Sequence, residues 1–287
     1  MRVGEQGPLV ASIIAEGAAP GIDTVVREVF LIEGLSRVDV RNVIDKQAVR
    51  GKEAVYFGFG FDIPDVVSRL DLGWGYIRPE QDQLPGSCKD FFPVQRWVDL
   101  SNSQGGITLA TVEAPLVSLG KLVDERHHNE GPSGWKTASG SSSLVYSWVM
   151  NNYWHTNYKA DQEGRCWFHY SVKPHGGFDP VEVYRFGVGR NQPLIVRRVA
   201  AGEQSVALPF ALRSPAVTVT AITPTYDGRG FTVRLYNPTP EESSFELVPS
   251  SQAPIAVFTS SPRGEKGRAM LEPFALGPFE ILTVRIE

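Results

Sequence analysis

Cysteine is nearly absent. Cys88 and Cys166 are the only two in 287 residues, too few for a disulfide framework and without the paired spacing of a metal site. A chain this long buries about three quarters of its unfolded surface and needs no staples, so free thiols in a reducing compartment are expected. Charge of one sign is also missing: 28 Lys and Arg stand against 32 Asp and Glu, for a net charge of −4. The basic side chains are scattered, with Arg197 and Arg198 the largest cluster, which excludes an electrostatic footprint for nucleic acid or an anionic membrane. No apolar run reaches spanning length. LVASII near the N-terminus is too short, and it has neither a basic leader nor a small-residue cleavage site. A cytoplasmic location is therefore expected. Histidine is scarce as well. Of the five, His127 and His128 are adjacent, so on a strand they would point to opposite faces and could not chelate one ion. No metal site and no cofactor are expected in this chain.

Helical periodicity is the last absence. Nowhere do apolar residues recur at helical spacing over ten or more positions, and 28 glycines and 21 prolines punctuate the sequence as turns. Less than about a tenth helix is predicted, as single turns near Asp65 to Leu70. What is present is period-two alternation. Arg37 to Ile44 sets Val38 and Val40 against Asp39 and Arg41, as a strand with one buried face does. Ala54 to Asp62 alternates Phe57, Phe59 and Phe61 with Gly58 and Gly60, and glycine inside a strand marks close approach by a neighbour. Ile107 to Val112 and Arg165 to Val172 read as further strands, the latter with Cys166, Phe168, Tyr170 and Val172 on one face and Trp167 and His169 on the other. The tract Ser139 to Ser143, preceded by GPSGWKTA, reads as a long mobile loop.

The organisation changes near Ala200 to Ser214. Short strands at close spacing follow, at Val217 to Ile222, Phe231 to Asn237, Ser244 to Val248, Ile255 to Phe258 and Phe279 to Ile286, with a hairpin signal at Tyr226 to Gly230. That spacing reads as a small antiparallel sandwich, with Phe231, Val233, Leu235 and Phe245 inside and Arg234 exposed. The expected fold is all-β, with one domain at 1–205 and a second at 206–287.

Two segments carry the residue mixture of a sugar-contacting surface, flat apolar rings beside fixed polar groups. The first is MNNYWHTNYKAD, Met150 to Asp161, offering Asn151, Asn152, Tyr153, Trp154, His155, Asn157 and Tyr158. The second is GWGYIRPEQDQLPG, in which Trp74 and Tyr76 would stack, Arg78 would supply a hydroxyl-binding fork, and Glu80 and Asp82 continue the polar alternation. The competing reading of the first is a loop capping a β-sandwich, its amides spent on backbone. For the second it is a surface ion-pair cluster of little energetic worth. Trp97 reads as core.

These segments, with RPEQDQLPGSCKDFFPVQRWVDLS (Arg78 to Ser101), GITLATVEAPLVSLG (Gly106 to Gly120), APGIDTVVREVFLIEGLSRVDVRNVIDK (Ala19 to Lys46), FTVRLYNPTPEE (Phe231 to Glu242) and PFEILTVRIE (Pro278 to Glu287), resemble the C-terminal β-rich region of bacterial glycoside hydrolase family 38, the retaining, metal-dependent α-mannosidases. The resemblance implies a large supersandwich like that of the galactose mutarotases, followed by the small β-sandwich. It also implies that the nucleophilic Asp and the ligands of a divalent metal such as zinc lie in a separate N-terminal α/β catalytic domain, the expected partner. This sequence has no H-x-D pair and no βαβ alternation, so the chain alone is expected to be inactive, an accessory region supporting that domain and contacting an α-mannoside or another carbohydrate. Two further readings compete: a stand-alone carbohydrate-binding module, and a mutarotase-like epimerase with His155 or His169 facing a carboxylate such as Glu182 across a cleft.

Overall fold

A computed structural model describes residues 1–122, 134–152, 161–200, 202, 210–250 and 254–287. The chain forms two compact units, Met1–Pro193 and Leu194–Glu287. The expected boundary between 205 and 206 lies outside the described residues. Among the described residues no helix is long and apolar enough to cross a membrane.

Among its described residues the first unit contains, in chain order, β1 (Arg2–Gln6), β2 (Val10–Ala19), β3 (Ile22–Ile32), β4 (Val38–Lys46), β5 (Glu53–Gly60), β6 (Val67–Leu72), β7 (Gly75–Ile77), β8 (Phe92–Pro93), β9 (Trp97–Ser101), β10 (Gly106–Thr111), β11 (Leu116–Leu119), β12 (Leu144–Asn152), β13 (Gly164–His175) and the helix α1 (Pro180–Asn191). Nine strands make one sheet, ordered β1-β2-β3-β4-β13-β10-β9-β6-β7, and β5-β12-β11-β8 make the other. The strand pairings among the described residues are antiparallel, and β4 lies beside β13 with Val40 opposite Tyr170. The core lies between the sheets. Ile44, Leu70, Val98, Leu100, Leu109 and Tyr170 come from the wide sheet, and Phe57, Phe59, Val117, Leu119 and Val145 from the narrow one. Alternation therefore assigned the faces correctly. Phe168 and Tyr170 are buried while Trp167 is 50% exposed. Gly58 also meets the expectation of a close neighbour, since a Cβ there would stand 3.2 Å from the Tyr146 ring.

Helix α1 overturns the expectation of single turns only, and the segment near Asp65 to Leu70 is a turn leading into β6 rather than helix. The apolar side chains of PVEVYRFGVGRN do not form one stripe; only Val183, Tyr184 and Gly187 are buried. What starts the helix is local. Asp179 caps it by accepting from the backbone N–H groups of Val181 at 2.8 Å and Glu182 at 3.2 Å, and Pro180 opens the first turn with φ already set. The helix lies over β9 and β10 on the outer face of the wide sheet. A Cβ on Gly187 would meet Trp97 Cδ1 at 2.5 Å. Gly187→Ala should therefore lower stability by about 1–3 kcal/mol as the helix lifts from the sheet, even though alanine is the better helix former. Urea unfolding of the two forms decides it; an unchanged midpoint would show that the helix rides loosely.

The tract at 134–143 is tied down rather than free. The Trp135 indole donates to the Gly86 carbonyl at 3.0 Å, the Lys136 backbone N–H to Asp90 at 2.8 Å, and the Ser141 hydroxyl to the Val66 carbonyl at 3.3 Å.

The second unit contains β14 (Phe210–Arg213), β15 (Thr218–Pro224), β16 (Phe231–Tyr236), β17 (Ser243–Pro249), β18 (Val257–Ser260), β19 (Lys266–Ala269), β20 (Phe274–Leu276) and β21 (Ile281–Ile286). A three-stranded sheet, β14-β17-β20, faces a five-stranded one, β15-β16-β21-β18-β19, around Val233, Leu235, Phe245, Leu276 and Val284. Phe231 and Arg234 are both half-buried, so Phe231 is less enclosed, and Arg234 less open, than alternation suggested. Asn237, fully buried, donates to the carbonyls of Glu241, Leu276 and Gly277 and accepts from Thr239. Its polar groups are satisfied in the NPT turn that ends β16.

Candidate functional site

Of the sugar-contact candidates, Tyr153, Trp154, His155 and Asn157 lie outside the described residues, as does Tyr158. Asn151 is exposed near the end of β12. Asn152 is buried and donates to Glu53 Oε1 at 2.8 Å, a side-chain partner rather than the backbone partner of the capping alternative. Trp74, in the turn joining β6 to β7, is 46% exposed. Tyr76 is packed edge-on to Phe178, with ring centroids 5.1 Å apart, and leans on Trp97. Burial raises its phenol pKa, so this ring is committed to the outer face of the wide sheet.

Arg78, Glu80 and Asp82 form a built corner. Asp82 holds the Arg78 guanidinium through two bonds, from Nε at 3.1 Å and Nη2 at 3.0 Å, and accepts the Arg78 backbone N–H at 2.7 Å. Those bonds set the charges: the Arg78 pKa rises and the Asp82 pKa falls, each chiefly through the side-chain hydrogen bond to the other. Glu80 Oε1 accepts the backbone N–H of Ser139, clasping the 78–82 loop to the loop that leads into β12. Between the two loops lies a cavity of about 230 Å³. The structure thus brings Arg78, Glu80 and Asp82 together with Ser139. It does not bring them to Asn151 and Asn152, which close β12; along a nine-residue strand that is a separation of roughly 26 Å.

Sequence reasoning missed a polar layer beneath α1. Outward-facing residues of the wide sheet meet there: Arg69 from β6, Asp99 and Ser101 from β9, Thr108 from β10 and His175 from β13. Asp99 is wholly buried. Its carboxylate accepts from Ser101 Oγ at 2.6 Å, His175 Nε2 at 2.8 Å, Thr108 Oγ1 at 3.1 Å and Arg69 Nη1 at 3.4 Å. His175 Nδ1 faces the Gly176 carbonyl at 2.8 Å. Both ring nitrogens therefore point at oxygen acceptors, an arrangement suited to the imidazolium, and the hydrogen bond to Asp99 is the main reason its pKa is raised. Ion pairs from Lys173 to Glu182 at 2.6 Å and from Arg190 to Asp39 at 3.7 Å fasten the helix at either end. Asp71 adjoins this layer, 2% exposed. Burial lifts its carboxyl to about 7 against the pull of Arg96. Asp71 Oδ2, Arg96 Nη1 and Trp97 Nε1 are buried with no hydrogen-bond partner among the described residues. Asp99, Ser101 and Thr108 are buried in this layer, where their bonds tie neighbouring strands together beneath the helix. The readable signals were the Asp179-Pro180 helix start and the alternation of Trp97, Asp99 and Ser101.

His169 does face a carboxylate, but it is Glu113, at 2.7 Å, with both side chains 39% exposed. Glu182, the carboxylate offered as an example for the epimerase reading, is paired with Lys173. Among the described residues no group of three or more His, Cys, Asp or Glu could hold a metal ion.

No protein-family profile and no curated protein matches the sequence. Solved structures do. An α-mannosidase from Enterococcus faecalis V583 superposes with a TM-score of 0.72 at 16% identity, covering 100% of this chain and 35% of that one. A protein in glycosyl hydrolase family 38 from Enterococcus faecalis gives a TM-score of 0.71 at 16% identity, with 100% and 36% coverage. A galactose mutarotase related enzyme from Lactobacillus acidophilus aligns over 62% of this chain with a TM-score of 0.30, too low to assign a shared fold. The chain thus spans about a third of the length of the two hydrolase chains it matches. At this identity the likeness establishes architecture: from end to end, the chain has the fold of a third of an α-mannosidase.

Proposed function

We propose that this chain is the non-catalytic C-terminal β-region of a family 38 α-mannosidase in the bacterial cytoplasm, and that it supports an α/β catalytic domain and contacts its carbohydrate substrate. The observation that carries the reading is the whole-chain match to about a third of an α-mannosidase, at TM-scores of 0.72 and 0.71. On this reading the nucleophile and the divalent metal belong to the partner domain. Trp74, Arg78, Glu80, Asp82 and the segment Asn151 to Asn157 are the residues proposed to meet sugar.

Pure chain assayed with an aryl α-mannoside and added zinc or cobalt is expected to turn over no faster than buffer. Metal-dependent hydrolysis would overturn the non-catalytic role. The protein isolated from its native source should carry or bind a family 38 catalytic domain; recovery of the chain alone, with no mannosidase activity in that fraction, would overturn the partnership.

A further inference from the structure

We infer that the cavity clasped between Arg78–Gln81 and Ser139–Ser141 is a binding site for a single neutral sugar ring. The inference rests on the proposed carbohydrate contact and narrows it to one place in the first unit.

Size comes first. At about 230 Å³ the cavity is smaller than the roughly 300–1,000 Å³ of sites for drug-sized ligands, so it suits one ring rather than an oligosaccharide. Its lining is amphiphilic. Val66 and Leu119, 8% and 1% exposed, give it apolar surface. Ser68, Gln81, Ser139 and Ser141 add polar groups beside Arg78 and Glu80. Several of these groups have capacity to spare. Asp82 occupies Nε and Nη2 of Arg78, leaving Nη1 as a donor. Ser139 donates to Glu80 Oε1, leaving Oε2 as an acceptor. The Ser139 hydroxyl is buried with no partner among the described residues. Donors and acceptors side by side are answered by a group that is both, which is what a sugar hydroxyl is.

Charge argues against an ionic ligand. Arg78 is neutralised by Asp82, and the charge of Glu80 is felt by the nearby Lys136 ammonium, whose pKa burial lowers against the smaller opposing pull of Asp90, Cys88 and Glu80. An anion would meet Glu80 and Asp82, and a cation would meet Arg78. The walls are also fixed in advance by the Arg78–Asp82 fork and by the Ser141 bond to the Val66 carbonyl, so little ordering remains for binding to pay.

The test is an NMR titration of the full chain with methyl α-D-mannopyranoside, myo-inositol and glucuronate, on the native protein and on Ala138→Leu, which adds bulk to the cavity lining. Binding of the neutral probes in the millimolar range is expected, with the largest amide shifts at Arg78, Glu80, Gln81, Ser139, Gly140 and Ser141. Ala138→Leu should weaken it at least about tenfold with an unchanged circular dichroism spectrum. Glu80→Gln, which keeps an acceptor for Ser139 but turns the free acceptor into a donor, should also weaken binding, by less than Ala138→Leu does. Shifts confined to Trp74 or to Asn151 to Asn157 would overturn this cavity and leave carbohydrate contact standing. Tighter binding of glucuronate would overturn the neutral class. Absence of shifts with every probe would overturn both the cavity and sugar contact by the isolated chain, while the mannosidase assay and the native isolation would still judge the accessory role.

Discussion

Asp99→Ala is expected to cost the first unit about 3–5 kcal/mol, the usual loss when one member of a buried ionic pair is removed. Four donors converge on that carboxylate, and its removal leaves the His175 ring and part of the Arg69 guanidinium without their acceptor. The loss should depend on pH. Unfolded histidine titrates near 6.5, and the pKa of His175 is raised in the fold. The stability it adds is therefore complete below 6.5 and lost as pH rises through the higher folded value. The charged groups around it are Arg69, Asp99, Lys173 and Glu182. Urea unfolding at pH 5.5 and 8.5 checks the point. The native chain should lose stability between the two, and Asp99→Ala should lose less over that step because the bond that chiefly raises the His175 pKa is gone. An Asp99→Ala midpoint within error of native at pH 5.5 would show that the cluster carries no net stability.

Asp71→Asn should act in the opposite direction at alkaline pH. Its carboxyl titrates near 3.8 when unfolded and at about 7 in the fold. Between those values the folded state holds the extra proton, so stability falls as pH rises from about 4 to 7 and stays low above. A shift of about three units corresponds to as much as about 4 kcal/mol; the uncompensated Arg96 charge left in the variant reduces the net gain. Asn cannot ionise, so the variant should be more stable than native at pH 8, should gain little at pH 4.5, and should lack the slope between. Parallel pH profiles for the two forms would show that Asp71 is ionised in the fold at no cost. Taken with His175, the first unit should be firmer near pH 5 than near pH 8.

The strands were legible because their information is local. Phe57 and Phe59 alternate with Gly58, and Phe168 and Tyr170 alternate with Trp167, so each strand declares its own inner face. Helix α1 was not, because its buried positions are Val183, Tyr184 and a glycine; the fit against Trp97 depends on an absent side chain, which leaves no periodic signal. The polar layer was hidden for a different reason. Asp99 meets His175 from 76 positions away and Arg69 from 30, and on its own strand each reads as an ordinary solvent-facing residue. The candidate cavity was half visible. The Arg78–Asp82 pair lies within one short segment, whereas the Glu80 contact with Ser139 joins positions 59 apart.

The pairing of β4 with β13 sets a timetable for synthesis. Asp39 and Ser171, opposite one another in that ladder, are 132 positions apart. At a translation rate of about 5–20 residues per second, β4 waits roughly 7–26 s with one edge unsatisfied before its neighbour leaves the ribosome. Throughout that interval its outward face shows Asp39, Arg41 and Asp45, charges that discourage another nascent strand from joining the open edge.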